Sequence, residues 1–226
     1  MALIQQIGAR VRGFFAPNYA EQDEDKPFGM NPRGDQLIAQ SLPPMTELVR
    51  LGNSWQAITT TGLAAATAMP TTTSGFSLVN GEKAGGLTYV IDSFGSFEVV
   101  VDATQTDVTA IVAMLNKITS AAASAGTAET SQTSLSGRKN YAGNSSLIRG
   151  ATVVNDVWFP HATSGQMAAA VAGANFKVNE VPVNGLYLVQ PGSSFSIAAI
   201  KAAAAAALQQ FYYIRWHEVQ LSVKNS

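Results

Sequence analysis

The stretch GFSLVNGEKAGGLTYVIDSFGSFEVVVD, residues 75–102, decides the fold class. Apolar and β-branched runs within it are separated by Asn-Gly and Gly-Gly pairs, which are typical of turns between strands. In its last part Phe97, Val99 and Val101 alternate with their neighbours, so they share one face of an extended chain. The stretch therefore predicts successive β-strands.

Further strand candidates follow along the chain. They are GATVVNDVWFP at 150–160, NGLYLVQPG at 184–192 and QQFYYIRWHEVQLSV at 209–223. Gly and Pro recur between these segments without clear helices, which is typical of two packed antiparallel sheets. We therefore predict an all-β domain, an antiparallel β-sandwich, over residues 51–226.

Two segments leave helix and strand open, residues 107–118 and 197–210. In the first, Val108, Ile111 and Leu115 have helical spacing, but the β-branched residues also suit a strand. In the second, the alanine tract has high helix propensity, because alanine loses no side-chain entropy in a helix. Local propensity favours helix in both, although tertiary context often overrides it. The small, polar residues 120–146 predict a long loop.

The first 50 residues differ from the rest, since they hold more than a third of the charged residues and more than half of the prolines. Neither a helical nor a strand period runs through most of them, which predicts an extended N-terminal arm. Residues 2–15 could form a short helix. Within the arm, Arg33-Gly34-Asp35 matches the tripeptide that integrins bind, but Pro32 and Gly34 favour a simple turn.

Composition limits the partners that the protein can have. The formal net charge is -1, so no long-range field attracts nucleic acid or an anionic membrane. Only 13% of residues are charged and 46% are hydrophobic, which suits contact with copies of the same chain or with an assembly. A monomer with a Ser/Thr-coated surface is the alternative. No apolar run is long enough to span a membrane, and Arg10 and Arg12 interrupt the apolar start, so we expect no signal peptide.

The sequence offers little chemistry. It has no cysteine and only two histidines, His161 and His217, neither of which has a second ligand at metal-binding spacing. Nucleophile-elbow, phosphate-loop and dinucleotide-binding patterns are also absent. We therefore expect no catalytic residue, no metal and no cofactor, and an enzyme is the least favoured class of function.

An aromatic cluster lies near the C-terminus. If this segment is a strand, Tyr212 and Trp216 share one face, whereas Tyr213 and Arg215 share the other. One face would then pack the sandwich and the other would meet a neighbouring subunit. A sugar-binding platform is the alternative use of such a cluster.

Several segments together resemble a known family. They are LPPMTELVRLGNSWQAITTT at 42–61, GLTYVIDSFGSF at 86–97, VWFPHA at 157–162, LVQPGSSFSI at 188–197 and FYYIRWHEV at 211–219. In these segments the chain, over residues 42–222, resembles the jelly-roll decoration or cement proteins of tailed-bacteriophage capsids. The polyalanine tract departs from that pattern.

The resemblance implies a jelly-roll-like sandwich and a structural role on the capsid surface of a virion. It also implies a homotrimer that binds the major capsid protein or other virion subunits, with arms that reach neighbouring subunits. A receptor- or glycan-binding module of a phage tail or fiber is the alternative. Residues expected to contact a partner are Arg10, Arg12, Phe14, Phe15, Arg33, Asp35, Tyr213, Arg215 and Trp216.

Overall fold

The computed structural model describes residues 45–100, 109–137, 143–164, 175–201 and 209–220. Nearly all of these residues belong to one compact unit, Leu48–Ser226. Most of the predicted arm, including its helix and its Arg-Gly-Asp turn, lies outside the described residues, as do six of the expected partner contacts.

The described residues form one short helix and eleven strands. The helix is α1 (Thr46–Leu51). The strands are β1 (Ser54–Ile58), β2 (Phe76–Asn80), β3 (Thr88–Val100), β4 (Thr109–Leu115), β5 (Thr127–Glu129), β6 (Gln132–Ser134), β7 (Ser145–Arg149), β8 (Phe159–Ser164), β9 (Asn175–Val189), β10 (Ser194–Lys201) and β11 (Gln209–Val219). The predicted all-β fold is confirmed.

The strands lie in two sheets. One has five strands in the order β6-β1-β11-β3-β9, and the other has six in the order β5-β7-β2-β10-β4-β8. Four antiparallel pairs are nested in the chain: β1 with β11, β2 with β10, β3 with β9, and β4 with β8. This is the eight-strand arrangement of a jelly roll, so the prediction of a jelly-roll-like sandwich is confirmed. The three remaining strands, β5, β6 and β7, come between β4 and β8 in sequence and extend one side of both sheets.

The main core fills the space between the two sheets. Its largest fully buried side chains include Phe76 and Phe195 from the six-stranded sheet and Phe94, Tyr212 and Trp216 from the five-stranded sheet. Aromatic rings of this size supply much of the apolar area that stabilises a sandwich. The interior is therefore packed with side chains.

A second cluster lies on the other face of the six-stranded sheet. Val112 and Met114 of β4 pack there with Ala198 of β10, and Val153 and Trp158 cover them from the segment that precedes β8. Strands β4 and β10 are consequently buried on both faces, and strands of that kind are apolar without alternation.

That double burial explains where local propensity misled us. Residues 109–115 form β4 and residues 197–201 belong to β10, so the preference for helix is wrong there; residues 202–208 lie outside the described part. A strand with apolar residues on both faces also has apolar residues at helical spacing, so the pattern alone does not distinguish a strand from a helix. Pairing with neighbouring strands determines that these residues form strands. The long loop predicted at 120–146 is also corrected, because it contains β5 and β6.

Candidate interaction surface

The expected contacts of β11 fall on opposite faces of the five-stranded sheet. Trp216 is completely buried in the core, so its predicted role as a partner contact is corrected. Tyr213 and Arg215 lie half-buried on the outer face, as strand alternation predicts. The outer face of this sheet is therefore the described surface that can carry contacts from β11.

Gly95 shapes the middle of that outer face. It lies between Tyr213 of β11 and Glu180 of β9 in the sheet register. A Cβ at Gly95 would lie 2.6 Å from the Tyr213 hydroxyl oxygen and would also overlap the carbonyl oxygen of Asn179. Only glycine leaves room for the tyrosine ring to lie across β3.

An ion pair crosses the space above Gly95. Arg215 Nη1 donates to Glu180 Oε1 at 2.7 Å, and the guanidinium carbon lies 5.8 Å from the centre of the Tyr213 ring. Such a distance is within the range of a cation–π contact. Burial and the nearby Glu180 carboxylate raise the pKa of Tyr213 to about 12, although Arg215 opposes this. Tyr213 is therefore a neutral hydroxyl donor at physiological pH.

These three side chains form one wall of a groove of about 360 Å³. Gln56 and Ile58 of β1 line its floor, and Ser131 and Thr133 line the opposite side, at the edge strand β6. The groove thus combines a tyrosine ring and an isoleucine with amide, hydroxyl, carboxylate and guanidinium groups.

Phe97 and Phe211 lie farther along the same face. Their rings stack with centres 4.7 Å apart and planes 5° from parallel. They are a directly opposed cross-strand pair, an arrangement that stabilises the pairing of β3 with β11. The aromatic cluster that suggested a sugar platform consists of Phe211, Tyr212, Tyr213 and Trp216. Because Tyr212 and Trp216 lie in the core, its members do not share a surface.

A serine, a histidine and an aspartate meet on this sheet, which sequence reasoning missed. Ser54 Oγ lies 2.7 Å from His217 Nδ1, and Asp92 Oδ1 lies 3.9 Å from His217 Nε2. Burial lowers the pKa of His217, and Asp92 opposes the shift. The three residues come from different strands, so no sequence spacing could reveal them.

This constellation lacks the geometry of a nucleophilic site. Ser54 is completely buried, so a substrate carbonyl could not approach its hydroxyl. His217 is buried as well, although alternation placed it on the outer face with Arg215. Asp92 is an extra residue of β3 opposite the bond between Arg215 and Trp216, and this bulge brings its carboxylate toward the imidazole. The group binds β1, β11 and β3 together.

The other histidine connects the two sheets. His161 of β8 lies at the edge of the six-stranded sheet, and its Nε2 lies 2.6 Å from the Tyr187 hydroxyl of β9. The imidazole also meets the Phe94 ring edge-on, with centres 5.3 Å apart. Burial lowers the pKa of His161 and raises that of Tyr187. A neutral imidazole can therefore accept a hydrogen bond from the Tyr187 hydroxyl across the edge of the sandwich.

Within the part of the chain that the structure describes, no three His, Asp or Glu side chains cluster closely enough to hold a metal ion. No helix among the described residues is long and apolar enough to cross a membrane. Comparisons with protein-family models, with curated proteins and with solved structures find no match to this chain.

Proposed function

We propose that this protein is a structural virion protein that decorates or cements a bacteriophage capsid. The observation that carries the proposal is the nested jelly-roll topology, because viral capsid domains are among the proteins built on it. The sequence resemblance to decoration proteins supports the same function. In this role, contacts that form only on the assembled shell stabilise that shell by mass action.

The surface of the described domain suits such a role. Ile118, Phe159 and Leu186 each expose more than half of their surface to solvent, in a chain with few charges. Exposed apolar side chains of this size are available to bury against other subunits. The proposal includes a homotrimer and a partner such as the major capsid protein.

The N-terminal arm supplies the other proposed contacts. Arg10, Arg12, Phe14 and Phe15 combine guanidinium groups with aromatic rings, which are enriched at protein interfaces. In this proposal they anchor the protein to neighbouring subunits, and the folded domain remains intact without them.

The first test uses the purified chain and the particle. Light scattering during size-exclusion chromatography should give the mass of three copies, and electron microscopy of the native particle should show the protein on the capsid surface. A monomer that is absent from the capsid would contradict the proposal.

The second test changes the arm. Replacing Arg10 and Arg12 by alanine should weaken binding to capsids at least tenfold, while Lys83→Ala, in an exposed loop of the domain, should have no effect. Co-sedimentation with capsids measures binding, and circular dichroism confirms that both variants fold. Equal binding by all three proteins would remove the arm from the mechanism.

The second candidate function is a receptor- or glycan-binding module of a phage tail or fiber. The platform on which that hypothesis rested is not assembled, because Trp216 and Tyr212 are completely buried. Any glycan contact must use another surface.

A further inference from the structure

We propose that the groove beside Tyr213 is a binding site for a neutral saccharide ring. The proposal stands on the groove alone and does not depend on a location in the virion. It also differs from the aromatic-platform hypothesis, because it uses none of the buried rings.

Charge is the first argument. Glu180 and Arg215 are the acid and the base that line the groove, and they neutralise each other at 2.7 Å. Both side chains are held by this contact, so a phosphate or sulfate would have to compete with the carboxylate for the guanidinium. The groove therefore favours a ligand without net charge.

The donors and acceptors are the second argument. Gln56 offers an amide oxygen and an amide nitrogen, and Ser131 and Thr133 offer hydroxyl groups on the opposite side. Beyond the bond that joins them, the guanidinium has further N–H donors and the carboxylate has a second oxygen. Neighbouring sugar hydroxyls need donors and acceptors interspersed in this way.

The apolar surface is the third argument. The Tyr213 ring and the Ile58 side chain, which lie opposite each other on β11 and β1, offer an apolar surface among these polar groups. A pyranose has C–H faces as well as hydroxyls, so it matches both parts of the lining. The volume, about 360 Å³, lies in the range of small-molecule sites.

The tyrosine is also held in place before a ligand arrives. The ring packs across Gly95, and the Arg215 guanidinium carbon lies 5.8 Å from the ring centre, so part of the side-chain entropy is already lost before a ligand binds. A shallow groove with this preorganisation should bind a single sugar with a dissociation constant on the order of 1 mM.

The test is saturation-transfer NMR of the full chain with a panel of probes. The panel contains the methyl glycosides of glucose, galactose, mannose and N-acetylglucosamine, together with methyl phosphate, whose methyl protons report binding, and an uncharged tetrapeptide. We expect transfer to at least one glycoside and none to methyl phosphate or to the peptide.

Variants locate the site. Tyr213→Ala and Glu180→Gln should each weaken glycoside binding at least fivefold, and Glu180→Gln changes an exposed residue without altering side-chain size. Phe159→Ala removes an exposed aromatic ring from the other sheet and should leave binding unchanged. Tyr213→Phe keeps the ring and provides a second readout if the alanine variant folds poorly.

Two results would overturn the proposal. One is the absence of transfer to every glycoside, including the case in which only methyl phosphate or the peptide binds. The other is glycoside binding that Glu180→Gln and Tyr213→Phe leave unchanged.

Discussion

At the scale of single residues, the most consequential polar contact is a buried ion pair. Arg149 Nε donates to Glu129 Oε1 at 2.7 Å, and Thr60 donates to the other carboxylate oxygen through its backbone nitrogen and its hydroxyl. The side chains of Glu129 and Arg149 are only 3% and 17% exposed. Removing one partner of such a pair leaves the other charge buried.

Arg149→Met should therefore lower the free energy of unfolding by roughly 3–5 kcal/mol, because the buried Glu129 carboxylate loses its guanidinium partner. The control is Arg215→Met, whose ion pair with Glu180 has the same 2.7 Å distance but exposures of 40% and 44%. That change should cost about 0–1 kcal/mol, since solvent screens the pair. Urea denaturation measures the free energy of unfolding of both variants. Equal losses would show that burial does not determine how much an ion pair stabilises the fold.

The residues of the surface were only partly predictable from sequence. Alternation in β11 correctly separated Tyr213 and Arg215 from the buried Trp216, because side chains of a strand point to opposite faces. The burial of His217 was not predictable, since it depends on the bulge at Asp92 and on Ser54 of β1, a strand that is distant in sequence. A bulge changes a register locally, and no local pattern in this sequence marked it.

At the scale of elements, Gly and Pro punctuation indicated the segments that form β2, β3 and β11. The strand predicted at 150–160 is wrong for most of its length, because β8 begins only at Phe159, and propensity did not identify β4 and β10. Both segments pair with neighbouring strands in the six-stranded sheet, and residues packed on the second face of that sheet bury them further. These contacts stabilise the strand conformation, although the same residues also suit a helix. Polar composition likewise concealed β5 and β6, whose three-residue pairings are too short to show alternation. Propensity is a weak guide wherever pairing and double burial decide the outcome.

Gly95→Ala tests how strongly one element depends on a missing side chain. The added Cβ would meet the Tyr213 hydroxyl and the Asn179 carbonyl oxygen, so β3 and β9 must separate or the ring must move. We expect a loss of about 1–3 kcal/mol in the free energy of unfolding, as overpacking usually costs.

The double variant separates the two clashes. Tyr213→Ser removes the ring but not the backbone oxygen of Asn179, so it should recover only part of the loss caused by Gly95→Ala. Thermal denaturation of the four proteins completes the cycle. If Gly95→Ala causes no loss of stability in the Tyr213→Ser background, the shift of β9 away from the new Cβ costs nothing. If the losses of the two single variants simply add in the double variant, the ring does not pack on β3.

At the scale of the whole molecule, the nested pairing joins the two ends of the domain. The outermost strands in sequence, β1 and β11, pair with each other. The pairs β2–β10, β3–β9 and β4–β8 then enclose successively shorter parts of the chain. Neither half of the chain can complete a sheet alone. A change at one strand pair should therefore affect unfolding of the whole sandwich. His217 lies in the β1–β11 pair, and His161 connects β8 to β9 between the two sheets.

This coupling predicts that acid destabilises the fold through its histidines. Burial lowers the pKa of both His161 and His217 from 6.5 in the native state. Below pH 6.5 the unfolded chain binds protons that the native chain does not, so stability falls as pH decreases through that window. Burial would raise the pKa of Asp156, but hydrogen bonds from Ser120, Asn116 and Lys117 lower it from 3.8. This carboxylate therefore adds to the loss of stability only in the more acidic range below about pH 4.

The thermal midpoint should consequently be nearly constant between about pH 7 and 9 and decline as pH falls below 6.5. His161→Gln can still accept a hydrogen bond from Tyr187, and His217→Asn can still form a hydrogen bond with Ser54. Neither replacement titrates, so the double variant should show a flatter dependence of the thermal midpoint on pH in this range. Tyr187→Phe removes the hydrogen bond but keeps the titration of His161, so it should lower stability at pH 7 and retain the decline. An unchanged slope in the double variant would assign the acid sensitivity to carboxylates instead.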